Sequence, residues 1–147
     1  MKVVIKKAVL EDYNVILKLS ILLDNTEKNK KEIIKNAIEN KFTWIAKDAD
    51  KVVGYCLCEL FDSTHDQLPN SIFISQLYIL EPYRNKGAGK TLLKEVLKTK
   101  FPDEYTYFSL SHDPEEILLT NFYKSFGFAL KGKTKGGNVK MIRSLES

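Results

Sequence analysis

A chain of 147 residues, 44% hydrophobic and 29% charged, has the size and composition of one ordinary globular domain with a substantial core. No apolar run approaches the length of a membrane span, and the lysine-bearing N-terminus enters a β pattern instead of an export signal, so the expectation is a cytoplasmic protein with no membrane partner. The net charge of +4, spread as lysines alternating with acids, suits an anionic small ligand and gives no reason to expect nucleic acid.

Val3 to Lys7 predicts a first strand, and Val9 to Leu23 a helix with Tyr13, Ile16, Leu17, Leu19 and Leu23 among polar residues. Asp24-Asn25-Thr26 is a turn and helix-start signal for a second helix from about Glu27 to Glu39, whose apolar stripe is Ile33, Ile34, Ala37 and Ile38. Its Lys28, Lys30, Lys31 and Lys35 fit a solvated face better than a nucleic-acid patch, because no aromatics interleave them.

Phe42 to Lys47 and Lys51 to Phe61 predict a hairpin turned at Asp48-Ala49-Asp50. Cys56 and Cys58 share one face of its second strand. Two cysteines at that spacing seldom form a disulfide, and with only His65 and His112 to help they make no plausible metal set, so they are read as buried small hydrophobes. Asp62 to Asn70, polar and carrying Pro69, is the longest loop before the central strand and a candidate substrate lid, though it also suits a passive connector.

Ile72, Ile74, Leu77, Tyr78, Ile79 and Leu80 form a β run stopped at Glu81-Pro82, where proline removes a ladder donor. From Gly87 the period becomes helical, with Ala88, Leu92, Leu93, Val96 and Leu97 on one face. Pro102-Asp103 breaks the chain, Tyr105 to Ser111 is a strand, and Asp113-Pro114-Glu115-Glu116 opens a short helix with acids in its first turn. Gly127 ends that helix and Phe128 begins a strand; Gly136-Gly137-Asn138 turns into the last strand, Val139 to Leu145. The order β, α, α, β, β, β, α, β, α, β, β, without repeat or linker, predicts a mixed α/β (α+β) domain over residues 1–147.

The chemistry concentrates between strand and helix, in Arg84-Asn85-Lys86-Gly87-Ala88-Gly89-Lys90. A helix start offers unpaired N–H groups and the positive end of a dipole, two glycines let a ligand approach the backbone, and Arg84, Lys86 and Lys90 add charge. A tight turn with exposed basic residues is the plainer reading of a glycine pair. The succession of strand, basic glycine loop and amphipathic helix favours a phosphate site.

Gly89-Lys90-Thr91 copies the end of a P-loop, but Arg84 stands where that motif needs its leading glycine. The loop instead resembles the Q/R-x-x-G-x-G/A signature of the GNAT superfamily of acetyl-CoA-dependent N-acetyltransferases, with Arg84, Gly87 and Gly89 on the defining positions. Leu77-Tyr78-Ile79 with Glu81-Pro82-Tyr83 before it, and Asn121-Phe122-Tyr123 through Gly127-Phe128 after it, are similar to the same family's pattern, and the element order matches.

The resemblance implies a central mixed sheet of about six or seven strands flanked by about four helices. It implies acetyl-CoA as donor substrate, an amine as acceptor, no metal, and the homodimer that family members often form. It assigns the pyrophosphate to the backbone of Asn85, Lys86, Gly87, Ala88, Gly89 and Lys90. Leu77, Tyr78 and Ile79 would hold the pantetheine arm as an added strand, with one backbone N–H polarising the thioester carbonyl. Tyr123 falls where many members carry the general acid for the leaving thiolate, and Asn121 where the cofactor arm is contacted; core packing with Phe122 and Phe126 is the alternative for Tyr123, and the motif match favours the acid.

The base departs from the pattern. Where relatives carry an acid on the central strand this chain has Ser75 and Gln76, and Glu116 replaces a frequent asparagine. Glu59, Asp62, His65, Asp66, His112 and Asp113 are substitutes acting most simply through water, or no base is needed because the amine arrives neutral. Two other readings stay open: a non-catalytic acyl-CoA-binding module, suggested by the missing carboxylate, and a P-loop-like nucleotide-binding protein. Nothing in the sequence names the amine.

Overall fold

The computed structural model describes residues 2–24, 29–61 and 70–145. Their elements run β1 (Val4–Lys7), α1 (Tyr13–Leu23), α2 (Lys30–Glu39), β2 (Thr43–Asp48), β3 (Lys51–Phe61), β4 (Ser71–Ile79), α3 (Ala88–Lys98), β5 (Tyr107–His112), α4 (Ile117–Lys124), β6 (Ala129–Lys133) and β7 (Val139–Ser144). This is the order expected from the sequence. The strands form a seven-stranded sheet in the order β1-β2-β3-β4-β5-β7-β6. β4 runs parallel to β5, while β1–β2, β2–β3, β5–β7 and β6–β7 are antiparallel, so the sheet is mixed. The chain divides into two compact units, Met1–Glu59 with Ser75–Lys100, and Leu60–Ile74 with Phe101–Ser147.

In the first unit, α1 and α2 lay their apolar stripes on one face of the sheet. Ile16 and Leu19 of α1 and Ile34, Ala37 and Ile38 of α2 are buried with Ile45, Tyr55 and Leu57, and Tyr78 and Leu80 pack partly buried against them. Each such buried leucine or isoleucine contributes roughly 1.5–3 kcal/mol. α1 starts later than the periodicity suggests, because Asp12 Oδ2 accepts from the Val9 N–H at 2.9 Å and holds Leu10–Asp12 in a 3₁₀ turn. α2 starts at Lys30 behind Asn29, which adopts φ 61°; the expected first residues, 27 and 28, lie outside the described part. Lys30 departs from the solvated face predicted for its helix. It is buried, and its Nζ donates to the Ser20 carbonyl at 3.0 Å, which also accepts from the Asp24 N–H, and to the Asp24 carbonyl, both at the negative C-terminal end of α1.

α3 buries Ala88, Leu92, Leu93 and Val96 and packs on β1 and β2. Its start lies over the other face of β4, where a Cβ on Gly89 would sit 3.8 Å from Ile79 Cγ1. On that face Gly54 is a steric requirement: a Cβ there would stand 2.5 Å from Ile79 Cδ1 and 2.7 Å from the Tyr78 carbonyl oxygen. Next to it β3 bulges against β2 opposite Ala46 and Lys47, and the Val53 carbonyl accepts from the Leu80 N–H at 2.8 Å. Cys56 and Cys58 are fully buried free thiols, as expected, and burial first, then the neighbouring Cys56, pushes the Cys58 thiol well above the ordinary range.

In the second unit, Ser71–Phe73 of β4 pair with Tyr107–Ser109 of β5, and the buried hydroxyls of Ser71 and Ser109 meet at 2.9 Å. Phe61 stacks on Phe73 with centroids 4.4 Å apart, and Phe101 meets Phe108 edge-on at 5.7 Å. β5 begins at Tyr107, two residues after the predicted start, because Tyr105 N–H closes a turn on the Pro102 carbonyl. The acids Asp113, Glu115 and Glu116 precede α4 instead of filling its first turn: Asp113 Oδ1 accepts from Glu115 N–H at 2.9 Å, a local turn that postpones the helix to Ile117.

Candidate active site

The predicted binding residues Leu77 to Lys90 form one continuous piece of the first unit. β4 carries Leu77, Tyr78 and Ile79, all half-buried, past the ladder that Ser71–Phe73 make with β5. Glu81–Tyr83 form a 3₁₀ turn, not a simple break, and the Tyr83 hydroxyl meets Asp48, with Lys51 Nζ 5.7 Å from its ring centroid. Desolvation, then Asp48, raises the Tyr83 phenol above its ordinary value.

Arg84 is exposed yet turned back on the strand. Its Nε donates to the Ile79 carbonyl at 2.8 Å and its guanidinium lies 5.3 Å from the Tyr78 ring centroid. At φ −74° and ψ 156° it holds extended backbone, and positive φ falls on Asn85 (62°) and Gly87 (88°). Asparagine tolerates that region and glycine takes it freely. Gly87 caps α3 with no side-chain bond, and its carbonyl accepts from both Thr91 N–H and Thr91 Oγ1 at 3.0 Å. By helix geometry the N–H groups of Ala88, Gly89 and Lys90 then have no carbonyl one turn back. No heavy atom lies within 4 Å of where a Cβ on Gly87 would stand, and Lys86 and Lys90 are exposed beside it. A diphosphate fits this cradle: open backbone donors at the positive end of a helix, a left-handed glycine, and lysines at the rim.

Behind the stretch lies a contact that sequence reasoning missed. Tyr55, fully buried on β3, donates its hydroxyl to Gln76 Oε1 at 2.5 Å, and its ring lies 6.5 Å from that of Tyr78. Gln76 is 6% exposed. The only local signal was a glycine inside a strand, Gly54, which marks the close approach of β3 to β4.

Asn121 and Tyr123 stand on α4, in the second unit. Asn121 is exposed. Tyr123 is 6% exposed and sits edge-on to Phe122 at 5.2 Å and to Phe128 at 5.6 Å, while the Tyr123 carbonyl accepts from the Phe128 N–H. Of the substitute bases, His112 has both nitrogens engaged: Nδ1 donates to the Asp113 carbonyl at 2.8 Å, so Nε2 accepts the Thr120 hydroxyl at 3.0 Å. Glu59 is half-buried at the end of the first unit's part of β3. Asp62, His65 and Asp66, and the loop proposed as a lid apart from Asn70, lie outside the described residues. Among the described residues no group of His, Cys, Asp and Glu could hold a metal, and no helix is long and apolar enough to cross a membrane.

A mixed sheet whose central strand leads through a glycine loop into an uncapped helix defines an acyltransferase of the GNAT type. The acetyltransferase (GNAT) family model matches residues 8–128, and the chain belongs to that family. No curated protein matches the sequence. Among solved structures it is similar to one of the NatC complex bound to Gag peptide and CoA, at 20% identity and a TM-score of 0.79, covering 98% of this chain and 99% of that one. The PaiA N-acetyltransferase of Thermoplasma acidophilum in complex with coenzyme A has 18% identity and a TM-score of 0.76 over 98% and 99%. Naa50 of Arabidopsis thaliana with the bisubstrate analogue CoA-Ac-MVNAL has 22% identity and a TM-score of 0.77 over 97% of each chain.

Proposed function

We propose that the protein transfers an acetyl group from acetyl-CoA to a primary amine by direct attack in a ternary complex. The observation that carries this reading is the start of α3, where Gly87 at φ 88° and an uncapped helix follow directly on β4. Backbone donors from Asn85 to Lys90 bind the pyrophosphate, and Lys86 and Lys90 neutralise it. Arg84, tied to the Ile79 carbonyl, fixes the loop to the strand. The edge of Leu77, Tyr78 and Ile79 aligns the pantetheine arm, and one of its N–H groups stabilises charge on the thioester oxygen. The bound donor supplies an activated acyl carbon with a thiolate leaving group. Tyr123 gives that thiolate its proton, and Asn121 contacts the arm; both assignments rest on the motif they share with the family. The whole chain acts as one domain of this kind, in the cytoplasm.

Gly89→Asp tests the cradle. Gly89 has ordinary room for a Cβ, and an acid in the first turn favours a helix, so the variant should fold with unchanged or higher stability. CoA affinity measured by calorimetry should fall at least about a hundredfold, because a side chain and a negative charge then oppose the phosphates. Unchanged CoA affinity, or tight ATP binding without CoA binding, defeats the assignment.

A second reading, a module that holds acyl-CoA without turnover, is favoured by one observation: on the central strand β4, where many members of the family carry a carboxylate, Gln76 stands instead, bonded to Tyr55 of β3. Amine-dependent release of CoA separates the two, since a module releases none.

A further inference from the structure

We infer that the tip of the β2–β3 hairpin is a positioning element of the cofactor site, with Asp48, acting through Tyr83, holding the glycine loop in the shape that receives the diphosphate; this rests on the reading of the start of α3 given above. The loop enters the left-handed region twice within three residues, at Asn85 (φ 62°) and Gly87 (φ 88°). Its backbone donors converge on one anion only while that shape is kept, so whatever fixes the entry to the loop lowers the ordering cost of binding. Backbone fixes that entry on two sides. The Leu80 N–H donates to the Val53 carbonyl at 2.8 Å, and the Tyr83 and Arg84 N–H groups close the 3₁₀ turn on the Leu80 and Glu81 carbonyls at 2.9 and 3.1 Å. The Tyr83 side chain adds a third hold. Its hydroxyl donates to the Asp48 carboxylate, and Lys51 Nζ stands 5.7 Å from its ring centroid.

The hairpin tip is built to make that hold. Asp48 and Lys51 are partners on its last rung, so residues 49 and 50 alone form the turn. Ala49 adopts φ 55°, a region that a residue with a Cβ enters at a cost. This tight turn keeps Asp48 and Lys51 opposite each other, one at the phenol and the other by its ring. All of these residues belong to the first unit, with the loop itself.

Asp48 makes the inference decidable by sign. A carboxylate near an anion site repels the anion, so charge alone predicts tighter CoA binding when Asp48 is removed. Positioning predicts weaker binding.

The test measures CoA affinity by calorimetry on the full chain, in the parent, Tyr83→Phe, Asp48→Ala, Asp48→Asn and the double variant Asp48→Ala/Tyr83→Phe, each shown folded by circular dichroism. Loss of one hydrogen bond to a charged group should weaken CoA binding about fivefold to tenfold in Asp48→Ala and in Tyr83→Phe, which keeps the ring beside Lys51. The double variant should be no weaker than the weaker single, because both substitutions remove the same bond. Asp48→Asn loses the charge but keeps an acceptor oxygen, and should bind CoA within about twofold of the parent. With acetyl-CoA the loss should fall on KM, with kcat at saturation unchanged. Should Tyr83→Phe not fold, Asp48→Ala against Asp48→Asn makes the same comparison.

Parental affinity in Tyr83→Phe, parental or tighter affinity in Asp48→Ala, additive losses in the double variant, an equal loss in Asp48→Asn, or a fall in kcat with affinity unchanged overturns the inference while leaving the cradle in place. Gly89→Asp is run beside these variants. No CoA binding by the parent, or undiminished binding by Gly89→Asp, overturns the cradle and the inference with it.

Discussion

The Arg84 Nε donates to the Ile79 carbonyl at 2.8 Å, so the side chain that opens the glycine loop is tied to the last residue of the strand before it. With the guanidinium also over Tyr78, one residue sets the angle between the edge proposed to align the pantetheine arm and the helix proposed to take the phosphates. Charge alone does not do this. Arg84→Lys keeps the charge but loses the planar fork, so CoA affinity should fall about fivefold to tenfold in Arg84→Lys and no more than severalfold further in Arg84→Met. Full affinity in Arg84→Lys would show that only charge matters there.

Gly54 should prove a residue of the fold and not of the reaction. A Cβ at 2.5 Å from Ile79 Cδ1 could be relieved by a rotamer change, but the one at 2.7 Å from the Tyr78 carbonyl meets backbone. Gly54→Ala should therefore lower unfolding free energy by about 1–3 kcal/mol, read from denaturant midpoints. Because β4 must shift to relieve the contact, CoA affinity should fall in the same variant. Stability equal to the parent would mean that β3 and β4 tolerate a wider spacing.

The buried Cys58 thiol carries a pH dependence of known sign. Burial raises its ionisation above that of the unfolded chain, so the native state holds the proton longer. Its contribution is complete below about pH 8.5 and is lost as pH rises beyond, where the unfolded thiol ionises first. The alkaline fall in stability should be shallower in Cys58→Ala than in the parent, even though the variant is less stable at pH 7. Parallel curves would contradict the burial account. In the native state both thiols should also resist alkylation until the protein unfolds.

The glycine loop was legible in the sequence because every cue lies within a few residues: a β run, a proline stop, two glycines and a helical period. The residues behind it were not. Tyr55 and Gln76, twenty-one positions apart in sequence, meet through the approach of β3 to β4, and no local pattern fixes that register. Lys30 read as one of four solvated lysines, since nothing in its own helix shows that α1 ends with carbonyls in reach. At Asp113 the same acids serve a helix's first turn or a turn ahead of it, and the side-chain bond to Glu115 decides for the second.

Tyr123 packs against Phe122 and Phe128, so its ring serves the core whatever its hydroxyl does. Tyr123→Phe keeps nearly all of that packing area. If the hydroxyl protonates the leaving thiolate, kcat and kcat/KM should fall together, on the order of a hundredfold, with CoA affinity little changed. The comparison belongs in a single turnover, because slow product release could mask the loss. Parental turnover there would leave Tyr123 as packing alone.

The central claim is that the start of α3 holds acetyl-CoA for transfer to an amine, and CoA release tests it most directly. Thiol is followed with acetyl-CoA present, with and without an α-amine, in the parent and in Gly89→Asp. The account predicts amine-dependent release by the parent, with acetamide formed in equal amount, and a loss of at least about a hundredfold in kcat/KM in a folded Gly89→Asp. Release that ignores the amine, no release while CoA binds tightly, or equal rates in the two proteins would contradict it.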